Sequence, residues 1–126
     1  MGGMILVDSS VWVRHIRATD DGLATLLNAN RVLMHPFVIG ELALGHLPRR
    51  AAFLERLHSL PRAMTAGDAE VLRLIEQQDL VGAGIGYVDA HLLAATRLTL
   101  GAKFWALDKR LNAVGDYLGL TAEMDA

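Results

Sequence analysis

Four of the chain's 14 acidic residues stand out by position. Asp8 ends the apolar run Met4 to Val7, and Asp108 follows the stretch Lys103-Phe-Trp-Ala-Leu107. Glu41 and Asp89 lie in the opening turns of apolar, helix-like segments. On a helix the same-face neighbours of Asp89 are Ile85, Gly86, Leu92 and Leu93, and those of Glu41 are Phe37, Val38, Leu44 and Gly45. None of these can pair a charge, and a lone carboxylate in apolar surroundings is costly, so partners must come from elsewhere in the chain. Carboxylates pressed together repel unless a divalent cation neutralises them. With oxygen donors only, no cysteine and no His pair at zinc-like spacing, the ion selected is a hard one, Mg²⁺ or Mn²⁺. Such an ion can bind a phosphate oxygen, orient water and stabilise a leaving oxygen, which is the chemistry of phosphodiester hydrolysis.

Each residue also has a plainer reading. Asp8 and Asp108 precede helical stretches and could be N-caps, while Glu41 and Asp89 could each pair with a distant arginine. Ser9 and Ser10 lack a G-x-S-x-G setting, so capping explains them better than nucleophilic attack. His91 lies two residues from Asp89, hence on another helix face, and reads as a helix-side or interface residue; His35 reads as a capping or packed histidine. Trp12 and Trp105 read as core. For a polyanionic substrate the local cations are Arg14, Lys109 and Arg110, which follow the site-bearing strand ends, although solvated helix surface is their simpler role.

The elements that must position these side chains follow from periodicity. Met4 to Val7, Arg31 to His35 and Lys103 to Leu107 read as buried strands, with a weaker one at Ala63 to Thr65. Helical stripes run from Ser10 to about Ile16, through Leu23, Leu26 and Leu27, from Phe37 to about Gly45, and through Phe53, Leu54 and Leu57. Thr65-Ala-Gly-Asp68 resembles a capping box before the stripe Val71, Leu72 and Ile75. The segment after Gly86 reads as a helix to about Leu98, and Leu111, Val114 and Leu118 form a last stripe stopped by Gly119. Strands alternating with helices predict an α/β domain with a small parallel sheet, in which sites collect beyond the carboxyl ends of the strands.

A chain of 126 residues, 52% hydrophobic, implies one domain over residues 1–126, with no repeat and no linker. Charges interrupt every apolar run before membrane-span length, and the N-terminus lacks the basic start of a signal peptide. The absence of cysteine fits a cytoplasmic location. The net charge of −2 gives no global attraction to nucleic acid.

In order along the chain, MILVDSSVWV, HPFVIGELALG, GIGYVDAHLLAA and FWALDKRL together resemble the PIN-domain ribonucleases, specifically the VapC-type toxins of bacterial toxin–antitoxin pairs. The resemblance covers residues 4 to about 120. It implies a three-layer α/β/α domain with a parallel sheet of four to five strands. It also implies a Mg²⁺- or Mn²⁺-dependent endoribonuclease with its acidic cluster at Asp8, Glu41, Asp89 and Asp108. In that pattern Asp8 and Asp89 are direct metal ligands, and Glu41 and Asp108 act through water or orient the nucleophile. A homodimer, a VapB-type antitoxin partner that places an arginine near the carboxylates, and a tRNA or rRNA substrate are implied as well. The chain departs from many relatives at Ala106, where a hydroxyl residue is common, and at the neutral Asn112.

Two rival readings are a PIN-like scaffold that binds RNA or protein without cutting it, and a haloacid-dehalogenase-like phosphatase. The phosphatase needs a second acid two residues after Asp8, where the chain has Ser10.

Overall fold

The computed structural model describes residues 3–124, so residues 1–2 and 125–126 of the expected domain lie outside the described residues. The elements run β1 (Ile5–Val7), α1 (Ser9–Arg17), α2 (Asp21–Asn28), β2 (Val32–Leu33), α3 (Pro36–Ala43), α4 (Arg50–Ser59), α5 (Asp68–Gln77), α6 (Tyr87–Leu98), β3 (Lys103–Trp105) and α7 (Lys109–Tyr117). The strands form one parallel sheet in the order β2-β1-β3. Ile5 pairs with Val32 on one side and Lys103 on the other, and Val7 pairs with Trp105. β1 therefore occupies the centre, and all three of its residues are buried. An unbroken apolar run is what a parallel strand covered on both faces requires.

The sheet has three strands rather than the four to five expected. Beyond each edge the chain touches the sheet at one residue only, with parallel bridges between Met34 and Arg62 and between Phe104 and Thr121. At the first, Met34 donates to Pro61 O at 2.8 Å and accepts from Ala63 at 3.0 Å, which is all that remains of the strand expected at Ala63 to Thr65. Proline has no N–H to extend that ladder. The second follows directly on α7, where Gly119 turns the chain at φ 72° and Ala122 N donates to Phe104 O at 2.8 Å.

The chain steps from β1 to β2 in one direction and from β2 across to β3 in the other. Right-handed crossovers in opposite directions put helices on both faces of a sheet. α1 packs on α2 and α3, α4 on α3, and α5 runs along α6, which covers β3. α6 is the most enclosed helix, with Ala90 to Thr96 all buried. On α5 the buried pair is Val71 and Leu74, while Leu72, expected in that stripe, is 56% exposed. The α5 cap is likewise displaced from Thr65: Gly67 N donates to Glu70 Oε1 at 3.0 Å. No helix among the described residues is long and apolar enough to cross a membrane.

α3 shows how a strand end hands over to a site-bearing helix. His35 Nδ1 accepts from Phe37 N at 3.0 Å, and Pro36 occupies the first helical turn, where a missing N–H costs nothing. His35 is thus the capping histidine that the sequence suggests. Burial first, then the neighbouring His91 and Arg62, push its pKa down from 6.5 to about 4. A protonated Nδ1 cannot accept the cap bond. The unfolded chain takes up this proton near pH 6.5 and the folded chain only near 4, so the stability contributed by His35 is complete above 6.5 and lost as the pH falls through that window. Urea unfolding at stepped pH tests this: His35→Asn, which caps without titrating, removes a slope worth on the order of 3 kcal/mol between pH 6.5 and 4, whatever its stability at pH 7.

Candidate active site

Because the chain runs from β1 to β2 on one side and then back across to β3 on the other, the carboxyl ends of β1 and β3 flank a topological switch point. Asp8 follows β1 directly, and its N–H donates to Trp105 O at 2.8 Å, closing the two strand ends together. Only 7% of Asp8 is exposed. Its Oδ2 accepts from Ser10 N at 3.1 Å and from the Ser10 hydroxyl at 2.5 Å, which caps α1. The same hydroxyl accepts from Leu107 N at 3.2 Å, so Ser10 ties the turn after β1 to the turn after β3.

Asp108 caps α7, with Oδ1 accepting from Leu111 N at 2.9 Å. Asp89 is the third residue of α6, and its Oδ2 reaches back to Gly86 N at 3.1 Å. The plain reading as caps therefore holds for Asp8 and Asp108 and extends to Asp89. It does not exhaust them. Among the described residues, each of these three carboxylates has one oxygen tied to a helix N-terminus and a second oxygen that no protein donor reaches.

Electrostatics join the four acids. Partial burial raises the pKa of Glu41, opposed by a hydrogen bond from Ser9, and the charges of Asp8 and Asp89 raise it further. Asp89 is raised first by burial, against the bond from Gly86, and then by Asp8 and Asp108. Asp8, Glu41, Asp89 and Asp108 thus form one repelling cluster. No arginine, lysine or histidine among the described residues forms an ion pair with any of them; the pairs present are Arg14–Asp20 and His91–Asp68. The alternative in which Glu41 and Asp89 find arginine partners is not realised among those residues.

A hard divalent cation fits an oxygen-only donor set with uncompensated charge and free carboxylate oxygens. No three Asp, Glu, His or Cys side chains among the described residues converge into a ready-made cage.

The expected cationic residues divide. Arg14 lies in the last turn of α1 and is paired with Asp20 Oδ2 at 2.6 Å, whereas Lys109 and Arg110 open α7 directly after Asp108 and are exposed. The Arg110 side chain crosses to the loop before α6 and lies over Gly84, where an added Cβ would stand 2.9 Å from Arg110 Cδ. Gly84 has φ 82°, so the turn there requires glycine. Asn112, in the neutral position noted above, donates from Nδ2 to Ala106 O at 2.9 Å and closes the β3–α7 turn. His91 is no free ligand: it is buried and bonded to Asp68. The sequence reading missed the double role of Ser10 and the partners of Asp68; the only local signal for the latter was the i, i+4 spacing of Tyr87 and His91.

Together the parallel sheet, its switch point and the mutually repelling carboxylates define an α/β domain with an acidic rim. No family model matches the chain. Similar curated proteins include Ribonuclease VapC32 of Mycobacterium tuberculosis, in strains CDC 1551 / Oshkosh and ATCC 25618 / H37Rv. Each is 46% identical over 110 residues, covering 87% of this chain and 89% of the relative. The chain belongs to the VapC ribonucleases, the PIN-domain toxins.

The raised carboxyls have a stability consequence. Asp89 and Glu41 hold protons in the folded chain at higher pH than in the unfolded chain, so ionising them at neutral pH costs stability. Asp89→Asn and Glu41→Gln are each expected to unfold at higher temperature than the parent at pH 7 without added metal. The gain should shrink as the pH falls through the raised folded-chain values and close below the unfolded-chain ones. Calorimetry across that range checks it, and a loss of stability at pH 7 in both variants would contradict it.

Proposed function

We propose that the chain is a Mg²⁺- or Mn²⁺-dependent endoribonuclease, the toxin of a VapBC-type pair, acting in the cytoplasm. The observation that carries this reading is four carboxylates from four parts of the chain that act electrostatically on one another, two with raised pKa and none ion-paired among the described residues. Ribonuclease is also the printed activity of the curated relatives.

In this reading Asp8 and Asp89 hold the ion through the oxygens their helix caps leave free. The bound ion would polarise the scissile phosphate and offset the charge that develops on the leaving oxygen. Glu41 takes the proton of the attacking water, a role suited by its raised proton affinity. Asp108 orients that water from the start of α7. Lys109 and Arg110, exposed beside Asp108, hold flanking phosphates of the RNA. Arg14 joins them only by leaving Asp20.

The substrate proposed is structured RNA such as tRNA or rRNA. The proposed partners are a VapB-type antitoxin, whose C-terminal segment brings an arginine to the unpaired carboxylates, and a second copy of the chain in a homodimer. The scaffold reading is disfavoured because all four acids are present and grouped. The phosphatase reading is disfavoured because Ser10 is committed to bonding Asp8 and Leu107.

Incubating total RNA with the purified chain and Mn²⁺ tests the activity. Asp8→Ala and Asp89→Asn should each lower the cleavage rate by roughly a hundredfold or more, since a metal's charge stabilisation is worth several kcal/mol, and a chelator should abolish it. Mapping new RNA 5′ ends after brief induction in cells, with Asp8→Ala as control, should give discrete sites. Equal cleavage by parent and Asp89→Asn would refute the assignment.

A further inference from the structure

Outside the acidic rim, one polar group bridges two helices from an exposed position. Asp68, the first residue of α5, has a side chain 80% exposed, yet its Oδ1 accepts two hydrogen bonds from α6. Tyr87 donates its hydroxyl at 2.8 Å, and His91 Nε2 lies at 3.1 Å. The bonds to Tyr87 and His91 hold the Asp68 pKa down, the Tyr87 bond contributing most.

The two donors flank Asp89 on α6. The His91 ring is buried, edge-on to Tyr87 at 4.7 Å between centroids and to Phe37 of α3 at 4.9 Å. Phe37 is itself edge-on to His35, the α3 cap, at 5.1 Å. A continuous line therefore runs from Asp68 through His91 and Phe37 to the first turn of α3, one turn before Glu41. It links the two helices whose carboxylates, Glu41 and Asp89, repel one another.

We infer that Asp68 is a positioning residue: through Tyr87 and His91 it fixes the first turn of α6, and so sets where Asp89 stands relative to the other carboxylates. Its carboxylate touches neither substrate nor reacting atoms. Its effect is geometric, on the affinity of the rim for a divalent cation. This rests on the metal-dependent reading proposed above only for its second readout.

Two measurements on the full chain test it. Hydrogen exchange without metal reads the Gly86 amide, which bonds Asp89 Oδ2, and the Ala90 amide, which bonds Gly86 O. Calorimetric titration with Mn²⁺ alone reads affinity. Asp68→Ala should speed exchange at Gly86 and Ala90 by about tenfold and weaken Mn²⁺ binding by about tenfold, the low end of what loss of a supporting hydrogen bond costs a metal site. Asp68→Asn, which keeps an acceptor oxygen, should fall between, and higher Mn²⁺ should restore RNA cleavage by Asp68→Ala to within about twofold of the parent, as expected for a purely positional effect. Exchange at Gly86 equal to the parent overturns the inference, as does equal Mn²⁺ affinity. A parent that binds no Mn²⁺ overturns the metal reading instead, and the exchange data then decide the role of Asp68 alone. Should Asp68→Ala fold poorly, Tyr87→Phe removes one of the two bonds and is read in the same way.

Discussion

A carboxylate that accepts a helix's first free N–H groups is the interaction on which this structure turns. Asp8, Asp89 and Asp108 each give one oxygen to the start of α1, α6 or α7. The free N–H groups there and the positive end of the macrodipole attract carboxylate oxygens, although at Asp89 burial outweighs the bond from Gly86. That attraction keeps three negative charges at one end of a small sheet despite their repulsion. Because a cap uses one oxygen, the second stays available. Stabilising the helix and leaving an oxygen free are then two properties of one side chain.

The rest of the molecule reinforces that geometry. β1 lies between its two partners, so the ends of β1 and β3 meet, and Asp8 N and the Ser10 hydroxyl stitch them together. α6 carries Asp89 on the most thoroughly buried helix, whose seven consecutive buried residues leave its first turn little freedom to retreat from the other acids. Glu41 is the exception. It caps nothing, stands exposed on α3, and is held by the placement of that helix, whose start is fixed by His35 and Pro36. Its proton affinity is raised by partial burial and by the charges of Asp8 and Asp89.

Much of this was legible in the residue order. The apolar runs, the helical stripes and the four acids appear where their spacing puts them, because buried parallel strands and capped helices are local patterns. What was not legible depended on contacts between distant residues. The outer strands shrank to single bridges because Pro61 and the turn at Gly119 limit pairing that only the folded sheet reveals. Leu72 counts as a stripe residue until the face that α5 turns to α6 is known. Asp68 reads as a helix-start acid because its partners lie 19 and 23 residues away. Capping and site chemistry looked like competing accounts of Asp8 and Asp108, and the two oxygens of a carboxylate allow both.

The bond from Leu107 to Ser10 spans 97 residues, and β1 finds its β3 neighbour across a similar distance. Contacts so remote form late, since loop closure must precede them, and a chain being synthesised folds from its N-terminus onward. Asp8 leaves the ribosome about a hundred residues ahead of Asp108, and the rim they share cannot close until β3 and the start of α7 have emerged. Throughout that interval a growing chain holds the first acid of the rim without the last. For a ribonuclease, that order of assembly sets a delay between making the first part of the rim and closing it.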